Sequence, residues 1–450
     1  MDWYPLKLTA HVRTYAFGER LIPDRLGKAG LPEGTVAETW EISDYRDTTG
    51  TITTGALAGR TLHEVVAAHP TELVGAGWQG PHFPLLEKFL DASHMLPVHL
   101  HADDETAWRV YGELNGKTEA WHILWAAPGA TILAGVKPGL ARDDLFRAFK
   151  EQDYDRVMPR YPIKAGDTVY VPSGVIHAFG PDTLIFEVQQ TSDLTQSVMP
   201  TDMYGGRLDE TTWNARISAT LDELRATYLP RPHPGLARRD GANCYVVGAA
   251  DAHFALERWT LTEPHMEPAH ARRCMTLSNV GEPVQLAYAG GTETLGRAES
   301  CILPAAIGEV RVTPGGESSL IACYIPDLTH DRFRWVLLRW HILAERLSDV
   351  PVTSARSSPR FGTEPVDQPH YGWVSEYIPK TFHPSQQAPT EPTASCTSAS
   401  NLPSATSPCA GAIPPCGPVS ARRPTCPRTI RTISSSSPTE DRQGRERAPH

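Results

Sequence analysis

The sequence has no run of eighteen apolar residues, so no helix able to cross a bilayer is expected. It begins Met1-Asp-Trp-Tyr-Pro5, without a basic stretch leading into an apolar core, so no secretory signal is expected either. A basic excess is also missing. The formal net charge is -10, which argues against a nucleic-acid-binding body and leaves a small molecule as the expected partner. Cysteine is sparse: eight residues in 450, with no Cys-x-x-Cys pair. A reduced, cytoplasmic protein fits that usage best. After Val352 hydrophobic periodicity vanishes too. Pro, Ser and Thr dominate and Arg becomes the main charge, a composition that buries too little apolar surface to offset chain entropy. Residues 351–450 are therefore expected to be a disordered tail, with Tyr371-Gly-Trp-Val-Ser-Glu-Tyr377 as a candidate docking patch.

What the chain does have is concentrated between Leu96 and Gly180. In His99-Leu-His101 the alternation of a β-strand puts both imidazoles on one face and Leu100 on the other, a spacing that can hold one metal ion. A third imidazole is available at His177. It follows the β-type run Asp167-Thr-Val-Tyr-Val171 and a Pro172-Ser-Gly174 turn. Two carboxylates compete as the acidic ligand. Glu105 lies four residues after His101, in the charge run Asp103-Asp-Glu105. Glu119 begins the run Glu119-Ala-Trp-His-Ile-Leu124 behind Asn115-Gly116, a hairpin signal between two β-rich runs. Lys117, two residues before Glu119, should face the same interior, where a neighbouring cation would favour its neutral amine.

The runs Gly166 to His177 and His99 to Gly112 resemble the two signature motifs of the cupin superfamily. More closely, the chain resembles a type I mannose-6-phosphate isomerase of the short bacterial form, from Tyr4 to about Asp327. The resemblance rests on Tyr4-Pro-Leu-Lys7, Glu38-Thr-Trp-Glu-Ile-Ser43, Phe83 to Ala92, Val98 to Glu105, Gly116 to Trp121, Val171 to His177 and Glu187 to Asp193, in that order. It implies two cupin-type β-barrels (jelly rolls), mainly β with a few helices. It also implies one zinc ion per chain on His99 (where the family usually has Gln), His101, Glu119 and His177, and so favours Glu119 over Glu105. The implied reaction interconverts mannose 6-phosphate and fructose 6-phosphate, with Lys117 and Asp193 assisting; Lys88 and Arg207 are candidate substrate-binding residues. One position departs. The family has an Arg four residues after the Asp of its Ser-Asp pair, and here that residue is Ser197. Serine offers neither a permanent charge nor a bidentate fork. Arg207 and Arg109 are the substitutes the sequence suggests. Three other readings stay open: an isomerase of a different sugar, unphosphorylated sugars included; a sugar-binding cupin without catalysis; and an iron-dependent oxygenase on His99, His101, Glu105 and His177.

The expected layout is a catalytic barrel with a helical insert over 1–204, a helical connector over 205–240, a degenerate second barrel with a terminal helix over 241–350, and the tail. In the first barrel, strands are expected at Trp40–Ser43 and Thr51–Thr54, and a buried one over Phe83–Ala92 in which Lys88 sits at an edge, snorkels or faces the sugar. Glu38 and Glu41 are expected to be exposed or to cap. Thr61 should cap a helix to Ala68, with Glu64 completing a capping box. Further helices are read at Ala141–Lys150, around Ala219–Thr227 and over Arg332–Leu347. His265 and His270 are placed on a loop of a second barrel that is structural.

Overall fold

The computed structural model describes residues 1–270 and 272–326. The expected terminal helix, the tail and its Tyr371–Tyr377 patch lie outside those residues. The first twelve strands are β1 (Leu6–Lys7), β2 (His11–Arg13), β3 (Glu38–Ile42), β4 (Leu85–Ala92), β5 (His99–Leu100), β6 (Glu119–Ala126), β7 (Thr131–Ala134), β8 (Arg160–Pro162), β9 (Thr168–Val171), β10 (His177–Phe179), β11 (Thr183–Gln190) and β12 (Gln196–Ser197). All but β1 form a two-sheet barrel. One sheet runs β2-β3-β4-β11-β6-β9 and the other β12-β5-β10-β7-β8. Leu90, Trp121, Ile123 and Ile185 from the first meet Ile132, Ala134 and Phe179 from the second in one core.

The larger sheet is covered on both faces, so β4 and β11 are buried along their whole length, charged and polar residues included. Strand alternation still sorts their side chains. On β4, Leu90 joins the core between the two sheets, while Leu85 and Phe89 join a different core on the opposite face. Lys88 shares the face of Leu90, and Glu87 that of Phe89. Lys88 is thus on a central strand and 3 % exposed, neither at an edge nor snorkelling.

The second barrel is built from β13 (Leu236–Asp240), β14 (Asn243–Ala250), β15 (Ala255–Leu261), β16 (His265–Glu267), β17 (Met275–Asn279), β18 (Val284–Tyr288), β19 (Gly291–Leu295), β20 (Ser300–Leu303), β21 (Val310–Pro314) and β22 (Ser318–Tyr324). Its sheets run β1-β20-β17-β22-β15-β14-β13 and β16-β21-β18-β19. The outer face of the first barrel's large sheet packs into the same core, since Phe89 and Phe186 (5.6 Å, edge to face) cluster with Leu256, Leu277 and Ile321.

Helix α1 (Leu62–Ala68) has the expected capping box. Thr61 Oγ1 accepts from Glu64 N at 3.2 Å, and Glu64 Oε2 accepts from Thr61 N at 2.9 Å. Helix α2 (Arg142–Glu151) falls where its spacing puts it and buries Leu145, Ala148 and Phe149. Helix α3 (Glu210–Glu223) starts nine residues before the expected Ala219, because Asp209 caps its Thr212 N–H at 2.9 Å. Thr51–Thr54 does not form a strand but only isolated bridges, Thr51 to Thr61 and Ile52 to Leu8. Asn115-Gly116 does not turn a hairpin either. A short helical stretch (Asp104–Thr106, then Ala107–Tyr111) precedes it. Gly116 is required there by close approach, since a Cβ would lie 2.5 Å from the Ala102 carbonyl oxygen. His265 lies on a strand, not a loop, and accepts a bond from the Tyr245 hydroxyl or donates one to it at 2.8 Å.

Candidate metal centre

Strands β5 and β10 pair antiparallel with His177 directly opposite His99, and His101 follows β5 on the same face. The three rings lie 4.3–5.1 Å apart between centroids. Each ring is fixed through Nδ1 by a backbone carbonyl: His99 by Pro97 O at 2.6 Å, His101 by Leu194 O at 2.8 Å and His177 by Val175 O at 2.8 Å. Donation from Nδ1 sets the tautomer and leaves each Nε2 as a lone pair. These lone pairs converge. His99 Nε2 and His177 Nε2 are 3.0 Å apart, a contact between two acceptors unless a cation lies between them. Burial and the neighbouring His177 hold the His99 pKa well below its usual value, and burial with the Lys117 charge brings His101 down to about 3, so both rings are neutral.

Glu119, at the start of β6, closes the ring of donors. Its Oε1 is 3.1 Å from His177 Nε2 and its Oε2 3.5 Å from His101 Nε2. Donors around a tetrahedral ion with bonds of ~2.0–2.1 Å stand ~3.3 Å apart, and these spacings match. His101 Nε2 and Glu119 Oε2 are buried and make no well-aligned hydrogen bond. The residues therefore fit a divalent cation bound to imidazole and carboxylate. Glu105 is not among them: its side chain is 76 % exposed and pairs with Arg109 at 2.9 Å. The oxygenase ligand set is thus not brought together.

A buried charge network backs the donors. Lys117 Nζ lies 2.9 Å from Glu119 Oε2 and 3.3 Å from Glu187 Oε1. Lys88 Nζ lies 3.2 Å from the same Glu187 oxygen and 3.5 Å from Glu38 Oε2. Burial works against each lysine's charge. The carboxylates outweigh it, chiefly Glu119 for Lys117 and Glu187 for Lys88, and hold both amines above their usual range; the neutral Lys117 is not what the protein's own charges favour. Burial would raise Glu119, but Lys117 and His101 keep it well below the ordinary carboxylate value. Glu187 is pushed up to about 7 by burial and by Glu119. Glu38 is 4 % exposed and part of this network, contrary to the exposed or capping role expected for it. Its partner Trp40 donates Nε1–H to Glu38 Oε2 at 2.7 Å. The same Glu-x-Trp pairing recurs at Glu119/Trp121 (3.1 Å) and Glu257/Trp259 (3.0 Å), a repeated signal in the sequence that marks buried carboxylates.

Asp193 is partly buried. Burial pushes its carboxyl up, and Lys88, Lys117 and Arg13 draw it back. Arg13 was not singled out from the sequence. Its guanidinium lies over the Trp40 ring at 4.5 Å, its Nε is buried without a hydrogen-bond partner, and it has no ion pair among the described residues. Arg207 is exposed and Arg109 is tied to Glu105, so neither joins the cluster. Ser197 pairs with His99 across β12 and β5. Its Oγ lies 3.4 Å from Val98 O and accepts from Met199 N at 3.2 Å, which leaves no cation at that position.

No family model matches the chain. It is 30% identical over 260 residues to GmuF of Bacillus subtilis strain 168, named a probable mannose-6-phosphate isomerase, a match covering 58% of this chain and 80% of the relative. It is 35% identical over 235 residues to the mannose-6-phosphate isomerase ManA of the same organism, covering 52% of this chain and 72% of the relative. Among solved structures, the mannose 6-phosphate isomerase of Bacillus subtilis superposes with a TM-score of 0.64 at 25% identity, over 71% of this chain and 99% of that one.

Proposed function

The chain belongs to the mannose-6-phosphate isomerase family, and from that premise we propose that it interconverts mannose 6-phosphate and fructose 6-phosphate with one zinc ion held by His99, His101, Glu119 and His177. The convergence of three Nε2 lone pairs and the Glu119 carboxylate on one point carries this reading. Zinc bound there supplies a Lewis acid for the oxygens on which negative charge develops as a proton leaves the carbon beside the carbonyl. Lys117, charged and 2.9 Å from Glu119, is placed to hold an oxyanion or deliver a proton to it. Asp193, raised by burial, is a candidate proton carrier on the same side. Lys88 keeps Glu187 and Glu38 compensated. Arg13, whose guanidinium lies over Trp40 and acts on Asp193 without an ion pair among the described residues, is the cation we assign to the substrate's phosphate or developing charge in place of the arginine absent at Ser197. The reading takes a small phosphorylated sugar as the partner and the cytoplasm as the compartment, which suits the free cysteines among the described residues, Cys244, Cys274, Cys301 and Cys323.

Loss of a ligand is a direct test. Loss of a group that merely orients a ligand costs ~10–100-fold in affinity or activity, so His101→Ala, Glu119→Ala and His177→Ala should each lower turnover and zinc affinity by more than ~100-fold. Full turnover in any of the three would exclude this metal site. The serine at 197 favours a second reading, an isomerase of an unphosphorylated sugar. It would show as turnover of free mannose or another unphosphorylated aldose exceeding that of the phosphate ester.

A further inference from the structure

A second group of donors lies outside the site just described, and its geometry is that of a ligand set. Asp44 follows β3, His63 lies on α1 and His82 precedes β4, so three segments distant in sequence converge. His63 Nδ1 is 3.2 Å from Asp44 Oδ1, and His82 Nδ1 is 3.7 Å from Asp44 Oδ2. The two imidazoles lie 5.2 Å apart at 38°, both with Nδ1 turned toward the carboxylate. The Asp44 side chain is 1% exposed, while the His63 and His82 side chains are 48% and 36% exposed. Asp44 is also anchored. Phe83 N donates to its Oδ2 at 2.8 Å and Thr49 Oγ1 to its Oδ1 at 3.3 Å.

Two features separate this arrangement from an ordinary Asp–His hydrogen bond. The His82 Nδ1 atom is buried and has no hydrogen-bond partner, although it faces Asp44. To the shared oxygen Asp44 Oδ2 the spacings are 3.4 Å from His63 Nδ1 and 3.7 Å from His82 Nδ1, close to the ~3.3 Å between ligands of a tetrahedral ion and longer than a usual charge-assisted bond. Exposure of both rings leaves solvent access for the remaining coordination position. We propose that Asp44, His63 and His82 form a second, independent divalent-cation site of the zinc class. Two imidazoles and one carboxylate are its protein ligands, and water completes the shell. An ion there joins the end of β3, helix α1 and the entry to β4. It also steadies the adjoining turn, where Tyr45 and Arg46 both contact Glu113.

The test uses the full chain, stripped with a chelator, loaded with Zn²⁺ alone and passed through a desalting column before elemental analysis. The double variant H63A/H82A should carry one zinc per chain fewer than the wild type and keep its isomerase activity. D44N retains an oxygen acceptor for the Phe83 N–H, and it should lose the same ion. If removing both rings disturbs α1, D44N carries the test alone. Equal zinc content in the wild type and D44N overturns the proposal. H101A, measured in parallel, reports on the catalytic site separately: its loss should add to that of H63A/H82A, so failure at one site is distinguishable from failure at the other.

Discussion

Arg13 holds its guanidinium over the Trp40 indole, with Asp193 within its electrostatic reach and Glu38 opposite it across β2 and β3. Removing one preorganised charge donor from an active site costs ~10²–10³ in rate. Arg13→Gln should therefore lower kcat/KM by ~100-fold or more, while Arg109→Gln and Arg207→Gln stay near wild type; steady-state kinetics on the three variants decides it. Glu87 gives a test of burial alone. It faces away from the metal cluster, with one oxygen bonded to the Thr276 hydroxyl and the other without a partner. Burial pushes its pKa from 4.5 up to about 8. The folded state then holds a proton that the unfolded chain releases, so this group's contribution is fully present below pH 4.5 and is lost as the pH rises through about 8. Unfolding free energies measured by urea titration should fall across that window by up to ~1.4 kcal/mol per pH unit, and Glu87→Gln should flatten the slope. His99 and His101 were legible in the sequence because their spacing, i and i+2, is local, and His177 because it follows a β-type run and a Pro-Ser-Gly turn. Glu38 and Arg13 were not, because their roles come from pairing with strands and rings distant along the chain.

Among the elements, the capping box, the buried strand at 85–92 and the helix at 142–151 form where expected, while the Asn-Gly hairpin and the Thr51–Thr54 strand do not. Thr61 and Glu64 satisfy each other's backbone donors, so Thr61→Ala should cost ~1 kcal/mol, read as a lowered urea midpoint with an unchanged slope. The buried strand expected over Phe83–Ala92 is β4, which lies beside β11 at the centre of the doubly covered sheet. The Asn115-Gly116 signal misled because the residues before it, Asp103 onward, start a helix. Asp103 accepts from Thr106 N at 2.9 Å, and this cap outweighs the β content of the segment. Thr51–Thr54 has the composition of a strand, yet it has only single bridges to pair with.

For the whole molecule, the family motifs carried the two-barrel fold. They did not reveal that β1 crosses to pair with β20, Leu6 opposite Ile302, which ties the start of the chain into the second barrel's sheet. Nor did they show how the outer face of the large sheet shares a core with that barrel through Phe89 and Phe186. The second barrel thus supports the floor of the histidine cluster from behind: the strands that present Lys88 and Glu187 to that side present Phe89 and Phe186 to the other. The proposed isomerisation of a phosphorylated sugar by this cluster proceeds although position 197 is serine. Its most direct test is turnover of mannose 6-phosphate by the zinc-loaded full chain, followed through fructose 6-phosphate formation. The expected result is zinc-dependent turnover that His101→Ala abolishes. A folded, zinc-loaded protein that forms no fructose 6-phosphate would contradict it.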